Sequence, residues 1–391
     1  MFAVFRPVRK AMYGMTMAVS MLGLAACVPA TTGQTGRSIN PNAEVQVALL
    51  VPGGSGEAAD DVLAQNLENA ARLAVSDLDG VKIDLRVYNT AGNPEIAASV
   101  AKQAVDEGAK IILGPVYAQN ANAAGVAVAS RNVNVLSFSN NTEIAGGNVF
   151  VLGPTFQNTA KRLLSFANAR GRGSVMIVSD GNVAGQAGAS AIRSAAAAAG
   201  TAVVGEVTYE FSQNGIVQAI PEIASTARDS GANSLFFTAD TAGALPLVTQ
   251  LLPENRISAP QFQFMGLTRW DIPATTLALP GVQGGWFALP DPQLGNAYAA
   301  RFQAAFGQAP HPISGLAYDG IAAIGALIKQ GNSNALTTVG LTQPSGFAGV
   351  SGVFRLRADG TNERGLAVAE IKENQVIVID PAPRSFGGAG S

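Results

Sequence analysis

The 391-residue sequence predicts an α/β fold of two parallel-sheet lobes around a hinged cleft. Three observations carry that prediction. Continuous apolar runs of strand length recur along the chain, segments with helical spacing separate them, and one phrase opens equivalent strands twice, about 120 residues apart.

Val45–Val51 (VQVALLV) is an unbroken apolar run stopped by Pro52-Gly53-Gly54, as a strand buried on both faces of a parallel sheet requires. Behind it Leu63, Leu67, Ala70, Ala71, Ala74 and Leu78 recur at spacings of three and four, and Gly80 closes the helix. Residues 82–88 alternate as a strand, residues 97–107 form a helix ended by Gly108, and residues 110–113 form a third strand. A helix at residues 126–131, a strand at 133–138 and a short strand at 150–152 follow. After Pro154 the series restarts, with a helix at 160–169, a strand at 174–178, an Ala-rich helix at 188–199 ended by Gly200, a strand at 202–211, a helix at 216–230 and a strand at 235–238. The repeated phrases are Gly108-Ala109-Lys110-Ile111-Ile112-Leu113 and Gly231-Ala232-Asn233-Ser234-Leu235-Phe236. A strand from Gly284 and helices at 297–306 and 313–330 return the chain to the first lobe. Two Rossmann-like lobes crossed more than once make a hinged cleft, with ligands at the carboxyl ends of the strands.

The N-terminus reads as an address. Arg6, Arg9 and Lys10 precede a short apolar stretch at residues 11–24, the pattern of a signal peptide over residues 1–26. Leu24-Ala25-Ala26-Cys27 resembles the bacterial lipobox, with Cys27 as the lipidated residue; acyl chains contribute about 0.8 kcal/mol per buried CH₂ to a membrane anchor. Val28 replaces the Asp that retains lipoproteins in the inner membrane, which points to an outer-membrane anchor facing the periplasm. Residues 27–44 read as a flexible tether. Removal of residues 1–26 leaves 22 basic against 27 acidic residues, a charge of −5 that disfavours nucleic acid. One Cys and one His exclude disulfide frameworks, Cys/His metal sites and a Cys-His catalytic pair, so no cofactor or metal is expected and the chain does not read as an enzyme.

Over about residues 45–380 the sequence resembles the type I periplasmic-binding-protein family, in its leucine/isoleucine/valine-binding branch. The resemblance rests on VALLVP at residues 47–52, EGAKIILGP at 107–115, Tyr318-Asp319-Gly320 in a late helix and FAGVSGVFRLRADG at 347–360. It implies lobe I at 45–154 plus 287–345, lobe II at 155–286 plus 346–380, and a disordered tail at 381–391. The last motif would form the final crossover and a hairpin closed by Asp359-Gly360.

By the same resemblance the ligand cleft falls at Tyr117, Ala118, Gln119 and Asn120 and at Ser139, Asn140 and Asn141, and the tight turn at Gly54 and Ser55 reads as facing it. Two small hydroxyl positions of the amino-acid binders become Ala118 and Asn141. The lobe II acid that holds the amine becomes Leu267 and Thr268, and the tyrosine expected after the first lobe II strand falls near Ala184. Asp240 or Asp271 could stand in for the acid, and Trp270 or Trp286 could stack on a ligand. These departures, with GAKIILGPVYAQNA and VNVLSFSN, resemble penicillin-binding protein activators, lipoproteins that stimulate a peptidoglycan synthase. The alternative is an ABC transporter substrate-binding protein for amino acids or similar small polar solutes, whose partner is a permease. Three other features are set aside. Gly54-Ser55-Gly56-Glu57-Ala58-Ala59 fits a loose dinucleotide fingerprint, but the acid it needs is Asn89. His311, in Ala309-Pro310-His311-Pro312, reads as a solvated loop residue, and Asp60-Asp61 as dipole partners at a helix start.

Overall fold

Two separate sheets, one all parallel and one parallel with two antiparallel strands at its edge, organise the chain, which a computed structural model describes over residues 35–386. Cys27 and the signal segment lie outside the described residues. The first sheet holds β1 (Val45–Val51), β2 (Ile83–Asn89), β3 (Ile111–Leu113), β4 (Asn134–Ser137) and β5 (Val149–Val151) in the order β2-β1-β3-β4-β5. Helices α1 (Ala58–Ser76), α2 (Pro94–Asp106) and α3 (Ala118–Ala129) connect its strands. The second lobe runs α4 (Phe156–Ala169), β6 (Ser174–Asp180), α5 (Val183–Ala199), β7 (Ala202–Tyr209), α6 (Gln213–Asp229), β8 (Ser234–Phe237), α7 (Leu245–Glu254), β9 (Gln263–Gly266) and β10 (Trp286–Leu289). Helices α8 (Pro292–Phe306) and α9 (Gly315–Lys329) go back to the first lobe. An antiparallel three-stranded sheet, β11 (Phe347–Gly349), β12 (Gly352–Leu356) and β13 (Asn362–Arg364), then leads to β14 (Ala367–Lys372) and β15 (Gln375–Asp380), which complete the second sheet in the order β15-β14-β10-β9-β8-β6-β7.

Alternation explains why both sheets are covered on both faces. In β1, Val47 and Leu49 join the core under α1 and α9, while Ala48 and Leu50 join the core under α2 and α3. In β6, Met176 and Val178 face one core and Val175 and Ile177 the other. The helix ends follow local chemistry. Asn93 and Asn182 accept from Ile96 N–H and Gly185 N–H at 2.9 and 2.7 Å, and Gly200 ends α5 at φ +66°.

Several expectations need correction. The folded chain starts by Thr35, not Val45: the Thr35 and Thr338 hydroxyls bond at 2.7 Å, and Ile39 is buried in the first lobe's core. The helix expected at 126–131 begins at Ala118, because Ala121, Ala124 and Gly125 pack it with small residues that leave no apolar period. β10 belongs to the second sheet, paired parallel with β9, whereas Phe347, Phe354 and Leu356 pack into the first lobe's core. Residues 381–386 run against the protein, with Ala382 buried and Arg355 stacked 4.7 Å from the Phe386 ring. Trp270 is 0% exposed and lies in the second lobe's core beside Phe237. It fits there because Gly266 and Gly285 leave a trough: a Cβ on either would sit 2.1 or 2.2 Å from the indole. His311 is half-buried, and its backbone N–H donates to Asn66 Oδ1 at 2.9 Å.

Three crossings join the lobes, at residues 152–155, 290–291 and 365–366. Asn362 Nδ2 donates to the carbonyls of Val151 and Gly153 at 2.8 Å each, and its Oδ1 accepts from Asn158 Nδ2 at 2.7 Å. Arg364 Nε donates to Leu152 O at 3.0 Å. From α9, Asp319 accepts from Val350 N–H at 2.7 Å and stands 3.6 Å from the Arg364 guanidinium. Asp291 N–H donates to Ser351 O at 3.2 Å, which ties in the remaining crossing.

Burial pushes the Asp319 carboxyl up to about 6 against the pull of Arg364, and burial pulls the Arg364 guanidinium down. The native carboxyl therefore holds its proton more tightly than the unfolded chain's, which titrates near 3.8, so protonation favours the native state. The stability of the wild type relative to Asp319→Asn should be lowest above pH 6 and rise as pH falls toward 3.8, read from urea midpoints across that window. Arg364→Met strands a buried carboxylate and should cost about 3–5 kcal/mol in urea unfolding at neutral pH. Gly266→Ala should cost about 1–3 kcal/mol in the same assay by overpacking the Trp270 trough.

Candidate functional site

The carboxyl ends of both parallel sheets carry the candidate residues, because strand-to-helix turns expose side chains and backbone N–H groups there. In the first lobe, the turn after β1 is closed on itself: Gly54 N–H donates to Asp61 Oδ1 at 2.9 Å, and Ser55 Oγ accepts from Glu57 N–H at 3.1 Å. Tyr117, after β3, donates its hydroxyl to Asp60; this hydrogen bond and partial burial push the phenol up to about 12. Ala118 and Gln119 open α3. Asn120 is buried, with its amide 3.5 Å from Thr90 Oγ1, so it ties two turns together instead of facing the cleft. Ser139 is buried and accepts from Asn141 N–H at 3.1 Å, while Asn140 stands exposed.

In the second lobe, β8, β6 and β7 are neighbours, and their ends bring Asp240, Asp180 and Tyr209 together. The Tyr209 hydroxyl donates to Asp180, and both residues are almost fully buried. Burial pushes the Asp180 carboxyl above its ordinary range; the Tyr209 bond pulls it back, and the nearby Asp240 charge pushes it further up. Burial also drives the Tyr209 phenol far upward, with Asp180 adding to it. Among the described residues of these strand-end loops Arg269 is the one cation, and its fork is spent on Asp271, with Nε 2.8 Å from Oδ1. The Asp180–Tyr209 pair escaped the sequence reading, since its members are 29 residues apart. The available signal was an apolar run ending in Ser179-Asp180 before Gly181-Asn182.

A cavity of about 920 Å³ joins the two lobes. Asn140, Asn141 and Glu143 wall it from the first lobe, Phe156 and Gln157 from the start of α4, and one face of α5 from the second. Of the expected cleft residues only Asn140 and Asn141 line this cavity, joined by Ala184 of α5. Ser55 and Tyr117 lie beside Gly92 with Asp60, Gly54 is in the turn next to them, and Asp240 is exposed after β8 in the second lobe. Among the described residues no group of side chains is arranged to hold a metal ion, and no helix is long and apolar enough to cross a membrane.

Tyr209→Phe removes the bond that restrains Asp180. The Asp180 carboxyl should then titrate at higher pH than in the wild type, as followed by carbon NMR of the side-chain carboxyl.

A family model for periplasmic binding proteins matches residues 44–375. No curated protein matches the chain. Solved structures share its fold. A Rhodospirillum rubrum chain assigned to a branched-chain amino acid ABC transporter aligns with a TM-score of 0.71 and 18% identity, over 86% of this chain and 100% of its own. A Desulfitobacterium hafniense ABC transporter substrate-binding protein in complex with Leu aligns at 0.62 and 17%, over 86% and 100%. A solute-binding protein of an ABC transporter from R. palustris, in complex with benzoate, aligns at 0.54 and 18%, over 87% and 98%.

Proposed function

Because the chain belongs to the periplasmic binding protein family, we propose that it is the solute-capturing component of an ABC transporter, closing its two lobes on an amino acid or a similarly small polar solute. The observation that carries this reading is the cavity walled by both lobes at the carboxyl ends of their strands, with strapped crossings beside it. A ligand that touches both walls binds the closed form better than the open one, and that difference drives closure. Family and fold are those of ligand-binding proteins, and the reading needs no chemical step.

Relatives with this fold hold leucine in one case and benzoate in another, so the lining decides the ligand. Here the strand ends expose the Asp240 carboxylate, while the one arginine is neutralised by Asp271, which favours a ligand with an amine over a free anion. Of the two acids that could stand in for the one that Leu267 and Thr268 replace, Asp240 is exposed at the end of β8, whereas Asp271 is paired with Arg269.

The activator reading rests on the phrases GAKIILGPVYAQNA and VNVLSFSN and on the lipobox. The similar structures named above are binding proteins of ABC transporters, so transport stands first, with a permease as the partner and a peptidoglycan synthase as the second reading. Export to the periplasm follows from the family. Attachment to the outer membrane through Cys27 is our reading of the lipobox and Val28.

Thermal-shift titration of the protein with amino acids, benzoate and muropeptides tests the proposal. A solute at about 100 times its Kd adds about 2.7 kcal/mol, enough to raise the midpoint by a few degrees. A saturable shift with one class of amine-bearing solute, weakened about tenfold in Asn140→Ala on the cavity wall, is expected. No shift with any solute, together with crosslinking to a synthase in cells, would overturn it in favour of the activator.

A further inference from the structure

The inter-lobe cavity does not stop at the strand ends. It continues along α5 from Val183 to Ser194, twelve residues spanning about 16 Å of helix. That is the length of about five residues of extended peptide. At about 920 Å³ the space is at the top of the range for small-molecule sites, and a single amino acid would leave most of it to water.

Apart from Glu143 the lining is uncharged. Asn140, Gln157, Ser190 and Ser194 make no side-chain hydrogen bond to the rest of the described chain, so their amides and hydroxyls are free to serve a ligand. Ala187 and Ala191 form a low floor that lets a backbone approach closely. Val183, 86% exposed, and Phe156 offer the apolar contacts. The one charged residue of α5, Arg193, turns away to Glu206 on β7 at 2.5 Å. Glu143 is therefore the one charged residue on the cavity wall. It makes no ion pair among the described residues, and its backbone N–H is fixed by Asn141 Oδ1 at 2.8 Å.

We propose that this groove takes a short peptide of about three to five residues, its N-terminal ammonium set against Glu143 and its backbone hydrogen-bonded by the free amides and hydroxyls along α5. The inference rests on the solute-capture reading and names its ligand class. A peptide suits this lining better than an anion or a lone amino acid. Its amide groups alternate donor and acceptor, as Asn, Gln and Ser side chains require, and no wall residue offers a cation to hold a carboxylate.

Calorimetric titration of the full-length protein with penta-alanine, N-acetyl-penta-alanine and free leucine tests it. Penta-alanine should bind more tightly than leucine. N-acetylation should weaken it at least tenfold, and Glu143→Gln should erase that preference for the free amine. Ala187→Arg, which fills the exposed groove, should abolish penta-alanine binding with the unfolding midpoint and far-UV circular dichroism of the free protein unchanged. Leucine binding without penta-alanine binding overturns the peptide inference and leaves solute capture standing. Equal binding of the free and acetylated peptides overturns the role of Glu143. No binding of any probe counts against the solute-capture reading itself.

Discussion

The buried strap of Asn362, Arg364 and Asp319 ties the two lobes together at their crossings. The crossing strand at residues 151–153 has three backbone carbonyls that lose water where the lobes meet, and each receives a side-chain donor from β13. An unsatisfied carbonyl there would cost about 1–3 kcal/mol, so those donors are needed for the lobes to meet at all. Arg364 brings a charge into that site, and Asp319 answers it from α9. The carboxylate Oδ2 stands 3.6 Å from the guanidinium with no hydrogen-bond partner, while Oδ1 is committed to Val350 N–H. The pair is therefore close enough to compensate charge but not locked into a bidentate clamp. A hinge can be built from such a contact, because a small rotation changes one distance and breaks no obligatory bond.

Function follows from the contrast between strap and cleft. Each lobe is a sheet covered on both faces with its central strands buried, as β1 and β6 show, so each lobe resists deformation. The cleft surfaces are different: exposed Asn140 and Asp240, and the small uncharged face of α5, carry little packing. Rigid lobes joined by a few satisfied crossings move as bodies, and a ligand that bridges their faces contributes its binding energy to closure. Trp270 and Asn120, which chemistry alone would send to the cleft, are spent on rigidity: one fills the trough over Gly266 and Gly285, the other ties two turns.

Strands and long helices were legible in the sequence because burial writes itself as period. VQVALLV, the stripe from Leu63 to Ala74 and the paired Gly-Ala phrases each correspond to an observed element. What escaped was set by contacts distant in sequence or by residues without a period. Residues 35–44 are polar and look like tether, yet Thr338 and the core around Ile39 hold them. Leu245–Glu254 carries Pro246 and Pro253, which hide a helix. The first turns of α3 are Ala and Asn, so their helical state depends on close packing that composition does not announce. The site was legible only in outline. The strand ends were located, but the Asp180–Tyr209 pair and the groove along α5 arise from lobe packing that no local pattern encodes.

The central claim is that ligand held between the lobes closes them about the strap. Electron-spin distances between labels at Val62→Cys on α1 and Val217→Cys on α6, both exposed, in a protein with Cys27→Ser, test it directly. The account predicts a broad distance distribution without ligand that shortens and narrows when a bound solute saturates the protein. A distribution unchanged by every solute that binds would contradict it.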